Sequence, residues 1–483
     1  MSKRFEDRIL EERARMRVTP EELISKIKAS SYGPQSKELL NRWVKCESTG
    51  EVGFALYSCP PLMERGSGAK VYDADGKEYI DLMSGFSVNN VGLCNPEVVE
   101  VIKSQAGKLI QYFDLPTPPR VELSEKLISI TPGDFPKKVI YSSTGSEIIE
   151  AIVKLVRWYT GKQFILVPYG DYHGRTALAQ ALTGKGGMWA YHYPVPPADS
   201  AVAYFPYPYC YRCPFDKEYP ACDFWCVKFL EDMFKSKEHP FRDPQANVSN
   251  VAAIVIEPMQ CSAGYIIPPT EYLSRLQELC DKYDILLVVD EIQAGMGRTG
   301  KMWASEHSGV APDVVAIAKS LGGGLPLSVA VGRKEIMDSW GPAAHLGTFS
   351  GNPLACATAV KVLEIMERDN LPGRAKEMGD YFLDGLKQLA KKHRLIGQVQ
   401  GKGLLLSIEF VRDAKTKEPA AAEASYMMTE CLKERLIFEL SGYYLNRFNL
   451  IPSLVISREE IDKALKIFDK VIIRAEKKFG LKT

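Results

Sequence analysis

Residues 285–325, ILLVVDEIQAGMGRTGKMWASEHSGVAPDVVAIAKSLGGGL, organise the reading of the chain. Residues 285–289 are apolar and run straight into Asp290 and Glu291; a second apolar run, 314–318, ends at Lys319. Short runs rich in β-branched residues read as buried parallel strands. In an open α/β sheet, ligands sit beyond the carboxyl ends of such strands. An acid and an amine are therefore expected to face one crevice.

Taken alone, Asp290 and Lys319 also read as a structural ion pair, or as loop residues facing water where each strand stops. Their neighbours narrow the choice: Gln293 follows the acid, GMGRTG occupies 295–300, and three glycines stand at 322–324. Glycines let backbone approach a bound group closely. Pyridoxal phosphate needs this combination: a lysine for a Schiff base, a carboxylate against the ring nitrogen, and backbone donors for the phosphate. A buried carboxylate keeps that nitrogen protonated by direct charge pairing.

The segments DEIQAGMGRTG (290–300), AKSLGGGLPL (318–327) and GTFSGNPLACA (347–357) together resemble the class III pyridoxal-phosphate-dependent aminotransferases of fold type I, the ω-amino acid and amine transaminases among them. The likeness runs from about residue 62 to the C-terminus. It implies an α/β protein: a large domain with a mostly parallel central sheet, and a small α+β domain built from N- and C-terminal segments. The boundaries expected are a helical segment at 1–53, the first part of the small domain with a linker at 54–137, the large cofactor domain at 138–370, and the rest of the small domain at 371–483.

Composition predicts a soluble, cytoplasmic protein. Sixty-one basic residues against sixty acidic leave a net charge of +1, giving no electrostatic case for nucleic acid or an anionic membrane. The start, MSKRFEDRILEERARMR, lacks the apolar core of a signal peptide, and no run of eighteen apolar residues occurs. Of eleven cysteines, Cys210, Cys213, Cys222 and Cys226 cluster in an insertion at 206–226. Disulfides, a structural metal and free thiols are all open readings of that cluster. No metal is expected in the active site itself.

The resemblance assigns further roles along the chain. Thr144, Gly145 and Ser146 form the turn that cradles the cofactor phosphate, at a helix start where free N–H groups favour an anion. Tyr172 lies over the cofactor ring, and Gln293 bonds its phenolic oxygen. Glu257 reads either as an ordinary capping residue or, as the resemblance implies, as a residue near the cofactor that often pairs with a substrate-binding arginine. Thr348 reaches the neighbouring subunit's phosphate, which implies a homodimer or larger homo-oligomer with composite sites. His173 is assigned no chemistry. Residues 295–300 also satisfy G-x-G-x-x-G, but they do not open into a helix, so a dinucleotide site is rejected.

The substrate side departs from the family pattern. Many relatives carry an arginine for the α-carboxylate where matching Gly442, Asn446, Pro452 and Leu454 puts Asn449. A neutral amide replaces neither the charge nor the fork of a guanidinium. Arg447, two residues back on the same strand face, reads either as a substitute or as a surface residue; Tyr57 and Phe86 read as pocket residues or as core. The activity expected is ping-pong transfer of an amino group from an amine or ω-amino acid to a keto acid, with Lys319 as catalytic base. Racemisation or epimerisation, or lyase and decarboxylase chemistry, is the alternative on the same scaffold.

Overall fold

The computed structural model describes residues 19–48, 61–185, 201–236, 238–243 and 248–481. A seven-stranded sheet forms its centre, in the order Lys137–Ser142, Ser328–Arg333, Val314–Ile317, Leu286–Asp290, Val251–Ile256, Phe164–Pro168, Val202–Phe205. The last five run parallel, and Ser328–Arg333 is antiparallel to both its neighbours. Unbroken apolar runs form these strands because both faces are covered. Leu287 and Val289 pack under helix Tyr272–Lys282, while Val288 packs under helix Gly145–Thr160. Each such side chain contributes about 1.5–3 kcal/mol of hydrophobic stabilisation.

N- and C-terminal segments meet in the smaller sheets. The hairpin of Lys70–Asp73 and Glu78–Asp81 turns through Asp75 and Gly76, the latter at φ +80°. Its second strand pairs in parallel with Leu436–Ile437. A separate four-stranded sheet holds Ile396–Lys402, Leu405–Phe410, Arg447–Leu450 and Glu439–Ser441. The helical hairpin Pro20–Ala29 and Pro34–Cys46 docks through Asp75, whose carboxylate accepts the amides of Gln35 and Ser36 at 3.1 Å each.

Arg298 joins these regions. It is fully buried and donates to Ser87 Oγ (3.1 Å), Asn90 Oδ1 (2.5 Å) and the carbonyls of Leu404 and Pro452. The glycine-rich 295–300 segment thus carries a structural staple. Gly297 and Gly300 take φ +79° and +94° there, in turns that side-chain-bearing residues adopt only under strain.

Candidate active site

Strands Leu286–Asp290 and Val314–Ile317 are parallel neighbours, with Asp290 opposite Ala316. Their carboxyl ends open on a cavity of about 360 Å³ lined by Asp290, Gln293, Lys319, Tyr172, Glu257 and the turn 143–146. The expected acid, amine and anion turn thus share one space. Lys319 opens a short 3-10 turn, Lys319–Gly322, with φ +48°. A left-handed lysine costs on the order of 1 kcal/mol, held here by the packed strand behind it.

Lys319 Nζ donates to Gln293 Oε1 at 3.0 Å, and Gln293 Nε2 donates to Tyr265 Oη at 3.1 Å. Gln293 therefore orients the lysine in this structure. Asp290 is buried; its Oδ1 accepts the Ile292 amide at 3.0 Å and its Oδ2 lies 2.8 Å from His173 Nδ1. His173 Nε2 is 3.8 Å from Asp171 Oδ2. The histidine left without a role is thus the acid's closest side-chain partner. Its place one residue after Tyr172 carried no signal, because Asp290 is 117 residues away.

Glu257 takes the capping role. No arginine pairs with it among the described residues: its two oxygens accept the amides of Tyr172 (2.7 Å) and Cys261 (2.9 Å). Asp171 accepts the Glu257 amide at 2.8 Å and Gln260 Nε2 at 2.7 Å. Burial pushes both Asp171 and Glu257 above the usual carboxylate range; Glu257 reinforces the effect at Asp171, and Asp290 does so at Glu257. These carboxylates act as buried struts that fix the backbone beneath Tyr172.

At the opposite wall, helix Gly145–Thr160 begins in a capping box: Thr144 Oγ1 accepts the Glu147 amide at 3.3 Å, and Glu147 Oε2 accepts the Thr144 and Ser143 amides at 3.0 and 2.9 Å. The box uses those three amides and leaves the first-turn amides of Gly145 and Ser146 for an anion. A Cβ on Gly145 would meet Ile292 at 3.2 Å, and one on Gly174 would meet Ser146 Oγ at 2.2 Å. Small residues keep this cradle open.

These groups fit pyridoxal phosphate. A primary amine, a buried carboxylate backed by an imidazole, an aromatic ring and a helix head converge on one cavity, and bulk at Gly145 would crowd the phosphate end. Lys319, Asp290, Tyr172 and the 144–146 turn would hold the group.

Other expected residues lie elsewhere. Tyr57 falls outside the described residues. Phe86 is partly exposed, in a left-handed turn, and does not line the cavity. Arg447 is neither on the surface nor in the cavity: it is fully buried, 3.5 Å from Glu409 Oε2 and bonded to Gln398 Oε1 at 3.1 Å. Asn449 is buried beside it, donating to Glu439 Oε2 at 3.0 Å and the Cys261 carbonyl at 3.4 Å. Thr348 is exposed and outside the cavity, its carbonyl accepting from Gln111 Nε2. Cys210, Cys213, Cys222 and Cys226 carry no disulfide and line a separate space of about 20 Å³.

Among the described residues, no helix is long and apolar enough to cross a membrane. Comparison with known proteins matches residues 57–472 to the family described as aminotransferase class III. Leucine/methionine racemase of Thermococcus litoralis is 38% identical over 422 residues, covering 86% of this chain and 91% of that protein. The 5-aminovalerate aminotransferase of Pseudomonas aeruginosa is 35% identical, covering 84% and 92% respectively. Among solved structures, an aminotransferase from Bacillus anthracis superposes with a TM-score of 0.82 at 31% identity, covering 92% of this chain and 100% of that one.

Proposed function

The chain belongs to the class III aminotransferase family, a pyridoxal-phosphate-dependent enzyme family, and from that premise we propose that it takes amino groups from amines or ω-amino acids and delivers them to a keto acid. The observation that carries this reading is the pairing of parallel strands that sets Asp290 and Lys319 on one cavity. When bound, pyridoxal phosphate supplies the carbonyl that accepts the amino group and a ring that disperses negative charge.

The chain's own groups do the rest. Lys319 Nζ, once deprotonated, takes the proton from the substrate's amine-bearing carbon and delivers it away from that carbon, so that the carbon is left to lose its nitrogen, with Gln293 Oε1 setting the direction of Nζ. Asp290 supplies the negative charge beneath the site, and His173 holds that carboxylate in place. Tyr172, anchored through Glu257, shields one side from water. The amides of Gly145 and Ser146 and the positive end of their helix hold the phosphate.

The same reading makes the enzyme a cytoplasmic homodimer in which Thr348 serves the partner's phosphate. Its support is local: Thr348 lies between Leu346 and Phe349, 51% and 65% exposed, and beside the exposed Ile110 and Tyr112. Exposed apolar residues of this size seek cover. Sedimentation of the holoenzyme tests the dimer, and a monomer with full activity would remove the role given to Thr348.

A second reading is amino acid racemisation, favoured by the 38% identity to leucine/methionine racemase. One assay separates the two. The enzyme is incubated with single amines and L-amino acids, with and without 2-oxoglutarate, and products are resolved on a chiral column. Glutamate formation supports transfer; D-amino acid without loss of amine supports racemisation and sinks the first reading.

A further inference from the structure

Tyr265 is a fully buried phenol whose backbone is strained. It takes φ +50°, in the left-handed region that favours glycine, directly after Gly264 at φ +111°. A side-chain-bearing residue persists there only where its surroundings over-determine it. The C-terminal sheet does so through Gln400 on strand Ile396–Lys402 and Ser407 on strand Leu405–Phe410. Gln400 Nε2 donates to the Tyr265 carbonyl at 2.9 Å, Gln400 Oε1 accepts the Ile267 amide at 3.4 Å, and Ser407 Oγ donates to the Tyr265 carbonyl at 3.4 Å. The ring belongs to a buried apolar cluster with Met259, Ala294, Leu405 and Ile451.

This framework fixes the far end of Gln293. Gln293 Nε2 donates to Tyr265 Oη at 3.1 Å, while Gln293 Oε1 accepts from Lys319 Nζ at 3.0 Å. An ammonium only donates, so the amide turns its oxygen to the lysine and its nitrogen away from it. That nitrogen meets the phenol. Gln293 and Lys319 line the catalytic cavity, and Tyr265 stands behind them. Burial pushes the phenol well above its ordinary range, so at neutral pH it is an uncharged hydroxyl that both accepts and donates. It therefore satisfies the far end of the amide whichever way that group is turned, including when Lys319 is neutral.

We infer that Tyr265 is a positioning residue for the proton transfer at Lys319: its hydroxyl anchors the Gln293 amide, and the anchored amide aims Nζ at the substrate's amine-bearing carbon. The inference rests on the proposed function, in which Lys319 is the base. It gives the lysine a chain of three residues, Tyr265, Gln293 and Lys319, whose outer end is fixed by the C-terminal sheet. A phenylalanine at 265 fills the same apolar space and leaves Gln293 Nε2 without its acceptor. The half-buried amide then loses one neutral hydrogen bond and turns among its rotamers, and Nζ loses its aim.

Single-turnover rates of the holoenzyme test this, with 5-aminovalerate and L-leucine as probes, each also deuterated at the amine-bearing carbon. Tyr265→Phe is expected to lower the saturated rate about fivefold, the effect of one neutral hydrogen bond, with half-saturation nearly unchanged. The deuterium isotope effect stays at least as large as in the wild type, because the step that slows is proton removal. In a Gln293→Ala background the same substitution changes the rate little, since the group it acts through is gone. Urea midpoints of the apoprotein follow the same cycle: Tyr265→Phe lowers the midpoint, and lowers it less once Gln293 is replaced by alanine. A wild-type rate in Tyr265→Phe, an equal loss with and without Gln293, or an isotope effect that falls overturns the inference and leaves the aminotransferase reading intact. Wild-type enzyme that inverts L-leucine without releasing its amine overturns the transfer reading instead, and the coupling of Tyr265 with Gln293 still decides the inference. Wild-type enzyme that removes the proton of neither probe overturns both.

Discussion

His173 Nδ1 lies 2.8 Å from Asp290 Oδ2, and both side chains are buried. The pair links a loop after strand Phe164–Pro168 to the end of strand Leu286–Asp290, so the orientation of the acid depends on a residue from another part of the sheet. Asp290→Asn keeps the shape and removes the charge, and is expected to lower kcat by about 10²–10³-fold. His173→Ala leaves the charge and loosens its aim, so a smaller loss, about tenfold, is expected. Measured kcat values in the reverse order would show that the imidazole, not the carboxylate, carries the electrostatic role.

Lys319→Ala removes the amine that donates to Gln293 Oε1. Loss of the base lowers kcat by about 10³-fold or more. Gln293→Ala leaves Nζ in place without its 3.0 Å acceptor and is expected to cost far less. Single-turnover rates with a saturating donor give the comparison, and near-wild-type rates in Lys319→Ala would remove the lysine from catalysis.

Glu291 is fully buried, accepting the amides of Ala304 (2.9 Å) and Ser305 (2.7 Å), and burial pushes its carboxyl up to about 7. Its folded-state pKa lies above its unfolded value, so the folded protein binds the extra proton. The contribution of Glu291 to stability is therefore greatest below about pH 4.5 and is lost as pH rises through 7. The swing is about 3 kcal/mol. Urea midpoints of wild type and Glu291→Gln, taken at pH 5 and pH 8, should show the wild type losing ground to the variant at the higher pH. An equal difference at both pH values would refute this.

Arg298 has no carboxylate partner within ion-pair distance among the described residues, and burial pulls its pKa down to about 10. Arg298→Ala leaves Ser87 Oγ and two carbonyls without the guanidinium donor, leaves Asn90 Oδ1 only the Ser87 hydroxyl at 3.3 Å, and opens a cavity. A loss of about 3–5 kcal/mol is expected. Chemical denaturation of the apoprotein measures it, and a loss under about 1 kcal/mol would mean that water replaces the guanidinium without penalty.

Much of this protein is written locally. The apolar runs before Asp290 and Lys319 define buried strands because burial on both faces leaves no room for alternation, and the helix at Gly145 is set by the box of Thr144 and Glu147. Lys319, Asp290 and the 144–146 turn were accordingly placed from sequence alone, and the structure brings them to one cavity. Long-range contacts left no such trace. Only the fold puts His173 on Asp290, makes Arg298 a staple, pairs Arg447 with Glu409 and sets Glu439 against Asn449. Periodicity and capping act over a few residues, whereas these partners lie 10 to 208 positions apart and meet only because strands and turns carry them together. Which charged side chain faces the cavity and which is buried behind it was decided by the tertiary structure, since the cost of desolvating a charge depends on the partners that packing supplies.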